Sequence, residues 1–335
     1  MQAAIYGLEG LELTADERGF FRDAEPAGFI LFRRNCETAE QLLRLTDSLR
    51  NLTGRPDLPV LIDQEGGRVA RMRPPAWPAF PAAERFAQLY ALAPSSAIEA
   101  ARSNARAIAL TLRSCGINVN ALPLLDVRQE GASDIIGDRA LGSEPMQVAA
   151  LGRVVLDGMA SAGVVGIIKH MPGHGRALVD SHKELPVVTA DAETLETDLE
   201  PFERLRAAPM GMTAHVVYDA WDEERPASLS PTVIHDIIRG RIGFDGFLMS
   251  DDLGMEALAG DFGSRAAGVV AAGCDVALHC SGNMEEMIAV AAASSAMSAE
   301  GEARLARAMV ITLVDGDGPD FAEAVAKRDA LLALV

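Results

Sequence analysis

The sequence predicts an α/β protein of the (β/α)8 TIM-barrel type, folded as a single domain. Short apolar runs alternate with longer segments of helical period about eight times along the 335 residues. No Gly/Ser-rich or Pro-rich linker interrupts this alternation. Hydrophobic residues make up 49% of the chain with only three Tyr and two Trp, which is typical of parallel strands covered by Ala- and Leu-rich helices. A doubly wound open sheet is the alternative that shares this alternation.

The strands are expected where short apolar runs end in polar or turn-forming residues. Runs of this kind occur, in order, at residues 3–10, 28–34, 59–65, 119–127, 165–171, 211–218, 246–252 and 274–280. Such runs are typical of strands that are buried on both faces, as they are in a barrel.

The helices are expected between these runs, where apolar residues recur with helical period. Several segments begin near Ser, Thr or Asp and end on Gly, which are the usual caps. The segments are 38–52, 97–116, 144–163, 192–205 and 230–243. Residues 283–314 and 324–335 are predicted as closing helices, so residues 1–335 are expected to form one catalytic domain. RPPAWPAFP (73–81) is predicted as a surface loop because it holds four prolines.

Charge and cysteine content limit the class of partner. The net charge of −18 and the absence of a Lys/Arg run of five argue against nucleic acid. The beginning, MQAAIYGLEG, lacks a basic segment followed by an apolar one, and no uncharged apolar stretch of about 18 residues occurs. Four cysteines are too few for a disulfide scaffold, so reduced thiols are expected. We therefore expect a soluble cytoplasmic protein with no membrane span.

Polar residues collect at the ends of the predicted strands. In a (β/α)8 barrel the active site lies at the C-terminal ends of the strands, whereas strand interiors are apolar. Each polar residue alone could have a structural role, but together they predict a site. They are Asp63, Asp126, Lys169, His170, His215, Asp251, Asp252 and His279.

The segment KHMPGHGRALVDSH (169–182) carries three of the six histidines. Pro172 and two nearby glycines predict a loop, in which Asp180 lies close enough to His182 to hold its imidazole in one tautomer. A histidine held in this way can act as a general acid and then as a base. A metal site built from His170 and His174 would need a helix at this point, so no metal and no cofactor are expected.

Two further segments have more than one interpretation. If the seventh strand continues through Asp251 and Asp252, only one of them faces the barrel axis, and the other is expected to cap the next turn. DQEGGRVARMR (63–73) has no phosphate-loop pattern. Asp63 with Arg68, Arg71 and Arg73 is therefore interpreted as binding hydroxyls or a carboxylate, and the alternative for Arg68 and Arg73 is a solvated helix start.

Eight ordered motifs resemble the β-N-acetylhexosaminidases of glycoside hydrolase family 3. They are GFILFRRN (28–35), LIDQEGGRVARM (61–72), GINVNALPLLDV (116–127), GDRALGSEP (137–145), KHMPGHGRALVDSHKELP (169–186), MTAHVVYDA (212–220), GFLMSDDLGMEAL (246–258) and GCDVALHC (273–280). The resemblance implies a retaining, exo-acting hydrolase that removes terminal N-acetylglucosamine, in the single-domain form typical of bacterial cytoplasmic peptidoglycan recycling.

The resemblance also implies roles for particular residues. Asp251 would be the nucleophile, His182 the general acid/base and Asp180 its partner. Sugar hydroxyls would be bound by Asp63, Arg71, Arg139, Lys169 and His170, with His215, Met212 and His174 in support. Met171 stands where the family usually has Phe, and Ala140-Leu141 stand where Ser-Phe is common. Both departures concern apolar neighbours of binding residues, so they bear on positioning rather than on the reaction.

Three alternatives remain open at this point. A β-N-acetylglucosaminide phosphorylase would use the same site, because a neutral imidazole in place of a second carboxylate repels an anionic acceptor less. A metal-dependent amidohydrolase would require zinc. A non-catalytic sugar-binding barrel would not need Asp251, Asp180 and His182 together. The expected partner is a small saccharide or a muropeptide, and the protein is expected to be a monomer.

Overall fold

The computed structural model of this protein describes residues 1–313 and 318–335, and its centre is a closed barrel of eight parallel strands. Each strand pairs with its neighbours in sequence, and the eighth pairs with the first. The strands are β1 Gln2–Gly7, β2 Pro26–Leu31, β3 Val60–Ile62, β4 Val119–Asn120, β5 Val165–Met171, β6 Met210–Thr213, β7 Phe247–Asp252 and β8 Val276–His279. The predicted barrel is therefore confirmed, and the open sheet is wrong.

Helices surround the barrel in the order expected of β/α units. They are α1 Ala15–Ala24, α2 Ala39–Thr53, α3 Ala83–Leu92, α4 Pro94–Ser114, α5 Pro145–Ala160, α6 Ala192–Arg204, α7 Phe262–Ala272, α8 Met284–Ala293, α9 Ala299–Met309 and α10 Phe321–Leu332, with a π-type helix at Val233–Arg241. Thr38 and Asp191 accept backbone N–H groups as N-caps, and Gly54 ends α2 in the left-handed region.

The predicted helices are confirmed with boundaries a few residues away, and the last residue of the 283–314 prediction lies outside the described residues. Helices α1, α3 and α7 lie where no helix was predicted. Only Glu17 and Phe21 of α1 are buried, and α7 is rich in Ala and Gly. The extent of the catalytic domain over residues 1–335 stays a prediction.

Two predicted strands are shorter than expected. The run 119–127 contributes Val119–Asn120 to the regular barrel ladder and then a single bridge from Leu124 to Lys169, since Pro123 between them has no N–H to donate. The run 211–218 leaves the barrel after Thr213, and its end, Val217–Tyr218, pairs with Val187–Val188. His215 consequently lies beyond the end of β6 rather than on it.

The segment after β3 is a hairpin, so the helix start considered for 63–73 is wrong. Gln64–Gly66 pairs antiparallel with Val69–Ala70. Gly66 adopts a φ of +100°, and a Cβ there would collide with the carbonyl oxygen of Pro81. Arg68 forms an ion pair with Asp138, at 2.8 Å, instead of facing solvent from a helix.

The barrel interior is apolar and is closed at its N-terminal end. Ile5, Leu61 and Phe247 belong to this interior cluster, and Leu305 and Met309 of α9 pack against them from below. Arg307 of α9 also binds Asp245, two residues before β7. The C-terminal ends of the strands are therefore the end at which a ligand can enter.

The cysteines, the proline-rich segment 73–81 and the length of the helices were each the subject of an expectation from the sequence. Cys36, Cys115, Cys274 and Cys280 are all free thiols, as predicted. The prolines of 73–81 lie in a loop whose Trp77 and Phe80 are buried. Within residues 1–313 and 318–335, no helix combines the length and apolarity that a bilayer span requires.

Candidate active site

A cavity of about 510 Å³ opens at the C-terminal end of the barrel. This volume is in the usual range for a small-molecule site. The β3 hairpin, the loop before α5 and the loop after β5 form its walls. Of the eleven residues to which the family resemblance gives a role, ten line the cavity: Asp63, Arg71, Arg139, Lys169, His170, His174, Asp180, His182, Met212 and Asp251. The eleventh, His215, lies behind the wall, as do Asp126 and His279, whereas Asp252 also lines the cavity.

One side of the cavity is an alternating network of charges. Asp63 follows β3 and binds Arg71 at 3.0 Å and Lys169, near the end of β5, at 3.1 Å. Lys169 also binds Glu65 at 2.7 Å, and Glu65 binds Arg139 through both carboxylate oxygens, at 2.8 and 2.9 Å. Three cations thus enclose two carboxylates, and the donors and acceptors match a ring of sugar hydroxyls.

The network keeps its charges although it is buried. Burial alone would raise the pKa of Asp63, but Lys169 and Arg71 outweigh it and hold that pKa well below its usual value. Burial alone would lower the pKa of Lys169, but Glu65 and Asp63 raise it above the usual value. The ammonium and both carboxylates are therefore ionised at neutral pH.

His170 is oriented by a residue beneath it. Its Nδ1 lies 2.8 Å from Oδ2 of Asp126, and its backbone N–H donates to Oδ1 of the same carboxylate at 3.2 Å. Burial raises the pKa of Asp126, but His170 outweighs this, and the pKa is about 2. The Nε2 atom of His170 is left to face the cavity.

The adjacent carboxylates of β7 have different environments. Burial alone would raise the pKa of Asp251, but His170 and His215 outweigh it and the pKa lies below its ordinary value. Burial raises the pKa of Asp252. Asp252 accepts the backbone N–H groups of Gly254, at 2.9 Å, and Cys280, at 3.2 Å. Asp252 therefore closes the turn after β7, as expected of one member of the pair, whereas Asp251 presents an ionised carboxylate at the cavity wall.

His215 supports this turn from below the cavity. Its Nδ1 lies 2.6 Å from the Ser228 hydroxyl and its Nε2 lies 3.0 Å from the backbone oxygen of Asp252. Burial lowers the pKa of His215 while the Asp251 and Asp252 carboxylates oppose this, and both ring nitrogens are hydrogen-bonded, so the ring is a structural partner of the turn. Met212 lies nearby and contributes an apolar surface to the wall.

The loop after β5, residues 172–186, carries the predicted Asp–His pair. Nδ1 of His182 lies 2.9 Å from Oδ1 of Asp180, which also accepts the His182 backbone N–H at 2.9 Å. The His182 side chain is 60% exposed. Burial of Asp180 would raise its pKa, but the His182 hydrogen bonds hold it below the usual value. His182 is thus held through Nδ1, and Nε2 is available to a bound molecule.

His174 is buried in the same loop, and we expect it to make the stability of the protein depend on pH. Burial lowers the pKa of His174 to about 4, against about 6.5 in an unfolded chain. Between these pH values the unfolded state binds the proton more tightly, so acidification favours unfolding. We expect this residue to lower the unfolding free energy by about 2 to 3 kcal/mol from pH 7 to pH 4.

Urea unfolding of the wild type and of His174→Gln, which does not titrate, measures this contribution at each pH. The variant should lose less stability on acidification than the wild type does. Parallel stability curves for the two proteins would contradict the assignment of a neutral, buried His174.

Sequence reasoning missed the roles of Glu65 and Asp126. Glu65 joins Lys169 to Arg139, and Asp126 fixes the backbone and ring of His170. The signal for Asp126 was its place after a strand. Glu65 lies within the hairpin, whose turn was not recognised, and the two consecutive glycines after it were the available indication.

The described part of the chain, 1–313 with 318–335, holds no cluster of three His, Cys, Asp or Glu side chains placed to bind a metal ion. His170 and His174 are near each other, with ring centroids 5.7 Å apart. Their hydrogen bonds go to Asp126 and Ser181. Both histidines therefore bond to the Asp126 carboxylate, His170 through its ring and His174 through its backbone N–H.

Comparison with known proteins defines the class. The model of the glycosyl hydrolase family 3 N-terminal domain matches residues 4–311. A β-hexosaminidase of Alkalilimnicola ehrlichii is 41% identical over 281 residues, covering 82% of this chain and 80% of the relative. A β-hexosaminidase of Bordetella avium is 38% identical over 278 residues, covering 82% and 79%. The chain belongs to glycosyl hydrolase family 3.

Solved structures agree with this assignment. NagZ from Neisseria gonorrhoeae, in complex with N-trifluoroacetyl-D-glucosamine, is similar with a TM-score of 0.87 and 31% identity, covering 99% of this chain and 98% of that one. Together with the curated relatives, this similarity identifies the protein as a β-hexosaminidase. The amidohydrolase and the non-catalytic barrel are therefore set aside.

Proposed function

We propose that this β-hexosaminidase is a retaining exo-β-N-acetylglucosaminidase that removes terminal, non-reducing N-acetylglucosamine. One observation carries the proposal: an ionised Asp251 and a His182 held by Asp180 line the same cavity. Retaining hydrolysis needs a nucleophile and an acid/base on either side of the scissile bond, and these two groups supply them. The ligand in the Neisseria NagZ complex, an N-acylated glucosamine, supports the sugar specificity.

In the first step, Asp251 attacks the anomeric carbon while His182 protonates the departing glycosidic oxygen through Nε2. The bond from the anomeric carbon to that oxygen breaks and a glycosyl ester of Asp251 forms. The low pKa of Asp251 keeps the carboxylate charged for this attack. Asp180 remains a carboxylate and stabilises the imidazolium of His182 before it gives up its proton.

In the second step, the now neutral His182 removes a proton from water, which attacks the anomeric carbon. The ester to Asp251 breaks, and two inversions give a product with the original β-configuration. The charge network of Asp63, Arg71, Arg139 and Lys169, together with His170, binds the sugar hydroxyls throughout. The exo action is proposed from the family resemblance.

The proposed substrate is a muropeptide of peptidoglycan recycling, and the proposed compartment is the cytoplasm. The family resemblance supports both, and four free thiols fit a reducing compartment. We further propose a monomer with one catalytic domain over residues 1–335. Light scattering on the purified protein tests the oligomeric state.

The test of the acid/base role uses His182→Ala and a series of aryl β-N-acetylglucosaminides. A leaving group that needs protonation should react about 10²- to 10⁴-fold more slowly in the variant, measured as kcat/KM. Dinitrophenolate leaves without protonation, so its kcat/KM should fall less than about tenfold. A loss of equal size for all leaving groups would contradict the assignment of His182.

The second step is tested with the same variant and the dinitrophenyl substrate. Without a base, hydrolysis of the ester should become limiting, so denatured enzyme should carry a glycosyl group on the peptide that contains Asp251. Azide needs no base and should restore turnover as the β-glycosyl azide. No adduct and no azide product would contradict the covalent mechanism.

Phosphate is the competing acceptor, because His182 adds no second negative charge beside Asp251. The products formed by the wild type with and without phosphate decide the question. Free N-acetylglucosamine under both conditions supports the hydrolase. Glycosyl phosphate as the main product would make the protein a β-N-acetylglucosaminide phosphorylase with the same nucleophile.

A further inference from the structure

The tip of the loop after β5, residues 178–185, carries Asp180 and His182 but has little attachment to the barrel. Ser181 is the one buried residue of this tip, at 2% exposure. The hydrogen bonds of Lys183 and Glu184 go to the backbone oxygen of Asp180, within the tip itself. The position of the tip therefore depends on what holds Ser181.

Ser181 is held by His174. Its hydroxyl oxygen lies 3.0 Å from Nε2 of the buried imidazole. Across residues 1–313 and 318–335, this is the single hydrogen bond that joins the tip to a residue outside it. Because the bonded residue stands between Asp180 and His182, it fixes the backbone of both.

His174 is a firm anchor for this bond. Its backbone N–H donates to Oδ1 of Asp126 at 2.7 Å, and the same carboxylate holds His170. Nδ1 of His174 is buried without a partner in the described part of the chain. The tautomer with its proton on Nε2 avoids a buried N–H without an acceptor, so Nε2 donates to Ser181. Burial keeps this ring neutral at working pH.

We propose that the Ser181–His174 hydrogen bond is a positioning contact that holds the Asp180–His182 pair against the cavity. The Ser181 hydroxyl is bonded to His174, so the residue acts through its neighbours on either side. Without the bond, the exposed tip has other conformations available, and His182 spends less time within reach of the glycosidic oxygen. This inference rests on the proposed role of His182.

The expected effect follows from the strength of one such bond. Ser181→Ala should reduce kcat/KM about 3- to 10-fold for leaving groups that need protonation, and should have little effect with dinitrophenolate. His174→Phe keeps a ring but removes both nitrogens, so it should give the same dependence on leaving group. Leu178→Ala is the matched control, because Leu178 lies in the same tip, 71% exposed, and outside the cavity wall.

A double variant separates positioning from general loss of structure. In a His182→Ala background, adding Ser181→Ala should cause no further loss of kcat/KM, because the group to be positioned is gone. Thermal unfolding of each variant shows that it is folded. A Ser181→Ala loss that is equal for all leaving groups, or that adds fully to the His182→Ala loss, would overturn the proposal.

The same data distinguish the two levels of inference. If His182→Ala shows no dependence on leaving group, the proposed function fails and the role of Ser181 falls with it. If His182→Ala shows the dependence and Ser181→Ala with His174→Phe does not, only the positioning contact is wrong. If His182→Ala, Ser181→Ala and His174→Phe all show the dependence on leaving group and Leu178→Ala does not, the Ser181–His174 contact positions the acid/base.

Discussion

Asp251→Asn is expected to lower kcat for a β-N-acetylglucosaminide at least about 10⁴-fold, because the variant has no nucleophile for the glycosyl ester. The change removes one charge and keeps the shape of the side chain. Azide, which rescues a missing base, should not rescue this variant. The measurement is release of p-nitrophenol from the β-N-acetylglucosaminide, with and without EDTA.

Asp252→Asn is the matched control, since it makes the same change one residue later. The carboxylate of Asp252 accepts backbone N–H groups of Gly254 and Cys280, which an amide oxygen can also accept. We expect less than about a tenfold loss of kcat. If Asp252→Asn is dead and Asp251→Asn is active, the nucleophile is Asp252. Loss of wild-type activity in EDTA would instead require a metal.

Lys169→Met is expected to lower the unfolding free energy by about 3 to 5 kcal/mol. The ammonium is 2% exposed and separates the carboxylates of Asp63 and Glu65, which would remain buried and would repel each other. Methionine occupies a similar volume, so the effect is one of charge rather than packing. Urea unfolding monitored by circular dichroism measures it, and binding of N-acetylglucosamine should weaken as well.

Two further variants test whether charge causes the stability loss expected for Lys169→Met. Lys327 pairs with Glu99 on the surface, with both side chains about half exposed, and Lys327→Met should cost less than about 1 kcal/mol. Adding Glu65→Gln to Lys169→Met removes one of the two carboxylates that have lost the lysine between them, and it should restore part of the stability. A loss below about 1 kcal/mol for Lys169→Met would show that the network adapts to the missing cation.

Much of the fold could be predicted because its signals are local. Apolar runs of strand length recur between helical segments, and each strand end carries its own polar residue, as at Asp63 and Asp251. The contact between Asp180 and His182 could also be predicted, since it spans two residues of one turn. The three helices that were missed, α1, α3 and α7, are short, with 10 or 11 residues each.

The features of the site that could not be predicted depend on contacts between segments that are distant in sequence. Glu65 meets Arg139 only because the hairpin after β3 folds over the barrel end, and no local pattern specifies that approach. The choice between Asp251 and Asp252 likewise depends on the Cys280 N–H of the neighbouring strand. The buried contact of Ser181 is invisible in sequence, because a serine in a polar loop is expected to face solvent.

The closure of the barrel by α9 leaves the cavity with a single mouth. The aglycone that departs and the acceptor that arrives must then use the same passage, one after the other. In the proposed mechanism, water would therefore reach the glycosyl ester after the first product has left the cavity. A bulky aglycone that lingers in the mouth would shield the ester from water, and an alcohol that replaces it there would compete with water for the sugar.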